Sequence, residues 1–161
     1  MKRILSLFVS VLCAVGAWAQ NVHNGHEYVD LGLPSHTLWA TCNVNASAPE
    51  RVGSYYSWGE IETRKKHDWA TYKWMDNSKN SWNGCTKYTI EDNQTTGVWY
   101  DSEGKFIGDG LTELEDADDV AAQTWGGSWS MPTADQQTEL IQNCYWVWTD
   151  TYNGVSVKGH I

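Results

Sequence analysis

Past an almost unbroken apolar stretch at Ile4–Val15, hydrophobic positions fall into short β-prone runs. They lose all period in the middle of the chain and recover a helical period near its end. Tyr28–Leu31 and Thr37–Thr41 read as two strands, with Leu33-Pro34-Ser35-His36 as the turn between them, its proline fixing one φ. Ser54–Trp58 predicts a third strand. From Glu60 to about Lys105 the chain is polar and rich in Asn, Thr, Lys and Trp. This reads as long loops with short strands near Thr86–Ile90 and Val98–Tyr100 and a hairpin tip at Asp101–Lys105. Irregular backbone on that scale is where a domain places binding residues.

Two helices are predicted further on. The first spans about Glu115–Gln123, acidic in its first turn and followed by Gly126-Gly127. The second begins after Pro132, with Thr133 as N-cap and Gln136 returning the bond in a capping box. Gln137, Leu140, Ile141 and Cys144 then share one face. Tyr145–Tyr152 and Val155–Ile161 read as strands around Asn153-Gly154, a strong hairpin signal.

The N-terminal stretch has the form of an export signal over residues 1–19. Lys2-Arg3 supply the basic start, and Ala17-Trp18-Ala19 supplies an A-x-A cleavage site. The run is too short to span a bilayer, which takes about 20 apolar residues. A lipoprotein anchor at Cys13 is a poor fit because Leu12 precedes it. The mature chain is expected to begin near Gln20, as a single domain over 20–161 in a secreted, periplasmic or cell-surface setting, with no transmembrane segment. Removing Lys2 and Arg3 takes the net charge from −9 to −11. A chain this acidic is a poor polyanion binder, so nucleic acid is not expected as a partner.

Tryptophan is the unusual component, with eleven in the chain and ten beyond the signal. Most are expected in the core, and a few exposed in the loops to stack on sugar rings. Trp69, Trp74 and Trp82, in the irregular region, are the first candidates, with an extracellular glycan or a surface protein as partner. Glu60 and Glu62 offer a different reading, a carboxylate glycoside hydrolase, since residues two apart on a strand lie about 6.5 Å apart. Two neighbours on one strand seldom oppose each other across a substrate, so the pair is read as a solvated strand end. Glu113, Glu115, Asp116, Asp118 and Asp119 lack the alternating ligands and the glycine of a calcium loop. His23, His26 and His67 are read as surface histidines. No cofactor and no metal site are predicted.

Four segments carry a family resemblance: NGHEYVDLGLPSHTLWATCNV at 24–44, YYSWGE at 55–60, WGGSWSMPT at 125–133 and ELIQNCYWVW at 139–148. Together they resemble the Fibrobacter succinogenes major paralogous domain over essentially everything after residue 22. The resemblance implies an α+β, C-type lectin-like fold with a mixed or antiparallel sheet, two helices and long Trp-rich loops. It implies a surface module and no established chemistry. Three positions depart from that pattern: His36 stands for Gly, Ser130 for Arg, and Gln136 for Glu. Members of the family usually continue through further strands, so the domain is expected to be incomplete at its C-terminus and marginally stable. A truncated paralogue without independent function is therefore a third reading.

Cys42 and Cys144 both lie in segments that match the family, whereas Cys85 lies in the variable region. A Cys42–Cys144 bridge is expected, worth up to roughly 4–5 kcal/mol on the entropic account.

Overall fold

A computed structural model describes residues 21–160; the expected export signal and its cleavage position lie outside the described residues. The fold is α+β, with two small antiparallel sheets and two helices. Strands β1 (Val22–His23), β2 (His26–Asp30) and β3 (Leu38–Ala40) form the first sheet in the order β1-β2-β3, with Tyr28 opposite Ala40 and Asp30 opposite Leu38. The turn from β1 to β2 is Asn24-Gly25, both at positive φ, which matches the twist of the flanking strands. The Leu33–His36 turn closes through His36 N–H to Leu33 O at 2.9 Å. His36 sits at φ 59°, a left-handed conformation that costs a residue with a Cβ more than it costs glycine.

The middle of the chain corrects several expectations. Ser54–Trp58 is extended loop rather than a third strand: Ser54 N–H bonds Val44 O at 3.1 Å, and no strand pairing continues from there among the described residues. Asn43 Nδ2 donates to Val52 O at 3.3 Å, and Asn45 Nδ2 donates to the Tyr56 hydroxyl at 2.7 Å. Residues 86–90 and 98–100 form no strand, and Met75–Cys85 and Tyr100–Phe106 pair only as isolated bridges. The Asp109 carboxylate takes the N–H groups of Tyr88 and Thr89 that a neighbouring strand would otherwise accept. The Asp101–Lys105 tip is present, with Asp101 N–H bonded to Lys105 O at 3.0 Å.

The first expected helix is divided. A 3-10 turn covers Asp116–Asp118, and α1 is only Val120–Trp125. Asp119 fixes that start, since its Oδ1 accepts the N–H groups of Ala121 and Ala122 at 2.8 and 3.0 Å. Helix α2 (Ala134–Asn143) has the expected capping box: Gln136 N–H donates to Thr133 Oγ1 at 3.2 Å, and Thr133 N–H to Gln136 Oε1 at 3.0 Å. Gln136 closes the box as a glutamate would. The predicted apolar face of α2 is only partly covered: Leu140 and Cys144 are half-buried, but Ile141 is 63% exposed. Strands β4 (Trp148–Tyr152) and β5 (Val155–His160) turn at Asn153-Gly154 and pair as a separate two-stranded sheet.

Cys42, Cys85 and Cys144 are all free, so the expected Cys42–Cys144 bridge is not formed. Cys42 lies in the turn after β3 and directs its thiol to Ala46 O at 3.6 Å, while Cys144 caps α2 through its N–H to Leu140 O. Apolar burial is sparse. Among the described residues Leu33, Met75, Trp99, Tyr100, Val120, Ala121 and Trp125 are the buried hydrophobic side chains, beside buried Glu60, Thr89, Asp118 and Asp119.

Candidate functional site

Two regions bring chemistry together. The first is a charged centre that organises the loops. Gly59 is at φ 72°, and a Cβ there would meet the Tyr88 ring at 2.6 Å, so the chain turns tightly against that ring. The turn delivers Glu60 to the interior, 2% exposed, where Oε1 accepts from Arg64 Nη2 at 2.8 Å and from Lys73 N–H at 2.6 Å. Oε2 has no hydrogen-bond partner among the described residues. Glu62 is exposed, so the two carboxylates occupy different environments. Asp118, 4% exposed, takes Lys73 Nζ at 3.1 Å, Lys87 Nζ, and the Tyr88 hydroxyl at 2.8 Å. Both ammonium groups also lie over the Trp74 ring, 4.1 and 4.7 Å from its centroid.

That geometry tunes the centre's ionisation. Burial opposes the charged form of Asp118, but its bonds to Lys87, Tyr88 and Lys73 outweigh this and hold it below the usual carboxylate value. Burial likewise opposes Asp109, where N–H groups of Thr89, Tyr88 and Leu111 prevail. Lys87 is raised, first by its bond to Asp118 and then by that to Glu115. The lowered carboxylates stabilise the fold fully above the unfolded value near pH 4, and that contribution fades as pH falls through their folded values. Lys87 contributes fully below the unfolded lysine value of about 10.4 and loses that only as pH rises through its folded value. The melting temperature should therefore hold a plateau between these limits and fall on acidification below about pH 4. A thermal melt followed by circular dichroism checks this, and a melting temperature that rises between pH 5 and 3 contradicts it.

The three tryptophans expected to stack on sugar each pack against a different neighbour. Trp74 is committed to the charged centre and donates Nε1–H to Gly59 O at 2.9 Å. Trp69 is 44% exposed and meets Tyr72 edge-on, and Trp82 is 43% exposed and tilts against Trp99. Trp69 and Trp82 keep partly open faces; Trp74 does not serve as a free platform.

The second region, which sequence reasoning missed, is a cleft of about 650 Å3 between β3 with the loop after it and the Ser128–Pro132 segment beside α1. Trp39, Tyr55, Tyr56, Trp125, Trp129 and Met131 are among its aromatic and apolar lining. Thr37, Asn43, Ser54, Ser128, Ser130 and Gln136 bring hydroxyl and amide groups. Among the described residues no Asp, Glu, Lys, Arg or His lines it.

Its walls are fixed by polar contacts from behind. Asp119 Oδ2 accepts Met131 N–H at 2.7 Å, so the carboxylate that caps α1 also holds the Ser128–Pro132 segment. His26 stacks on Trp125 at 4.2 Å, Trp129 Nε1 donates to His23 O at 2.9 Å, Ser128 N–H to His23 Nε2 at 3.2 Å, and Asn24 Nδ2 to Trp125 O. His23 and His26 are thus fasteners of the N-terminal ribbon and not idle surface groups. The Leu33–His36 turn is tied to α2 through Ser35, whose N–H and hydroxyl both bond the Glu139 carboxylate.

Among the described residues no group of three or more His, Cys, Asp or Glu could hold a metal ion, and no helix is long and apolar enough to cross a membrane. No protein-family model, no curated protein and no solved structure matches the chain.

Proposed function

We propose that the mature chain is a non-catalytic binding module exported from the cytoplasm, with the cleft beside β3 as its ligand seat. The observation that carries this reading is the cleft itself. Its volume of about 650 Å3 lies within the range of small-ligand sites, and its wall combines aromatic faces with a few hydroxyl and amide groups. The contacts behind it, from Asp119, His23, Asn24 and His26, give the rigid support that a binding site needs. Among the described residues the wall holds no carboxylate, imidazole or ammonium group, the commonest general acids and bases, and its titratable side chains are Cys42, Tyr55 and Tyr56. Glu60 and Asp118, the carboxylates of the loop centre, are engaged by Arg64, Lys73 and Lys87, an arrangement suited to a structural clamp.

Export is supported by the basic start, the apolar run and the Ala-x-Ala site. Membership of the Fibrobacter succinogenes major paralogous type, with its lectin-like architecture, belongs to the same reading. The capped start of α2 and the ribbon docked on Trp125 and Trp129 support it. Trp69 and Trp82 are secondary contacts for a glycan or a surface protein.

The test is binding of the mature chain to immobilised glycans and surface-protein fractions. Ser130→Trp, which fills the cleft from an exposed position, is expected to weaken binding at least tenfold, while Trp69→Ala leaves most of it. The reverse pattern defeats the cleft reading. Hydrolysis of an oligosaccharide that Glu60→Gln abolishes defeats the non-catalytic one.

A further inference from the structure

We infer that the cleft takes an uncharged, hydroxyl-rich ligand, a short neutral oligosaccharide, in preference to an acidic glycan or a polypeptide segment. The inference rests on reading the cleft as the ligand seat and adds the chemistry of what sits there. Three features carry it. The chain has twenty acidic and eleven basic residues and a net charge of −9, yet among the described residues no acidic or basic side chain lines this cleft. Burying an ionised ligand group there would be costly with no counter-charge to offset it, and the surrounding negative charge opposes approach of an anion.

The wall is also mixed and not oily. Thr37, Asn43, Ser54, Ser128 and Ser130 place neutral donors and acceptors among the rings of Trp39, Tyr55, Tyr56 and Trp129. A neutral sugar presents the matching pair of surfaces, a C–H face for an aromatic ring and hydroxyls for hydroxyl and amide groups. β3 lies at the edge of its sheet but is only three residues long, so a polypeptide strand would find a short ladder there and not a continuous one.

Trp39 supplies the third feature. The residue lines the cleft, and its Nε1–H has no acceptor among the described residues. An unmatched buried donor is costly, so a ligand hydroxyl that reaches it gains what the fold leaves unmade. That N–H is enclosed, so contact requires the ring to turn toward the cleft, and its indole resonance is the reporter.

The experiment titrates the mature chain with neutral gluco-, manno-, galacto- and xylo-oligosaccharides and with galacturonate and glucuronate oligomers. Affinity is measured at low and high salt, the indole N–H resonances are followed by NMR, and sedimentation reports association of the chain with itself. At least one neutral oligosaccharide is expected to bind. Its affinity should change less than twofold with salt, exceed that of the uronates at least tenfold, and fall at least tenfold in Ser130→Trp. The Trp39 resonance, assigned by its loss in Trp39→Phe, should move on binding in the unsubstituted protein. If a uronate, a peptide or a second copy of the chain occupies the cleft, and Ser130→Trp blocks it, the inference is overturned while the ligand seat stands. A neutral glycan whose binding ignores Ser130→Trp overturns the seat itself. Absence of binding to every neutral oligosaccharide also overturns the inference.

Discussion

Asp119→Ala is expected to lower stability by about 3 kcal/mol, a large fraction of what a domain of this size possesses. One carboxylate, 3% exposed, accepts three backbone N–H groups: Ala121 and Ala122 at the start of α1, and Met131 twelve residues on. Losing an N-cap alone costs about 1 kcal/mol. Leaving further buried donors unmatched adds about 1–3 kcal/mol. Asp119→Asn keeps an acceptor toward α1 but offers only one oxygen, so it should fall between alanine and the parent. Urea unfolding followed by tryptophan fluorescence measures both, and a loss below about 1 kcal/mol for alanine would mean that the triple contact is not formed. Because Met131 lines the cleft, the alanine variant should also weaken whatever binds there.

The second large effect is expected at Lys87. Lys87→Met leaves Asp118 buried with one ammonium group, Lys73 Nζ at 3.1 Å, in place of two. Breaking a buried pair on one side costs about 3–5 kcal/mol. The remaining lysine offsets part of that, so a loss of about 2–3 kcal/mol is expected. Adding Asp118→Asn to the same chain should recover about half of it, since no buried charge is then left under-paired. The two singles and the double, unfolded in urea, form the cycle, and strictly additive losses would show that Lys87 and Asp118 do not act as a pair.

What could be read from the sequence follows from which forces leave a local trace. Thr133 and Gln136 announce α2 because a capping box has a fixed spacing, and both of its bonds are present. Asn153-Gly154 announces its hairpin because few residues accept two successive positive φ values. Asn24-Gly25 carries the same signal, and the strand before it went unread only because β1 is two residues long. The loops are different. Asp109, Asp101 and Asp92 satisfy backbone N–H groups with their carboxylates, and such bonds have no period. Acidic residues before α1 looked like one favourable first turn, whereas they divide three ways. Asp119 caps α1, Asp118 is buried against lysines, and Glu115 pairs with Lys87 at the rim.

The proposed ligand seat has no signature in the local sequence. Aromatic richness signalled an unusual site, but the choice of Trp69, Trp74 and Trp82 followed position in irregular sequence. Trp39 and Trp129 instead line one cleft from segments some ninety residues apart. Their neighbours are uncharged, and a missing charge is visible only once three dimensions show which residues share a wall.

Among the described residues the β4–β5 hairpin pairs with no other strand, and its turn and cross-strand pairs order it. Two-stranded ribbons are marginal by themselves. This one should open and reclose many times before the rest of the domain unfolds. Its amide protons should then exchange with solvent far sooner than those of α1, giving the protein a fast-breathing tail beside a slow body.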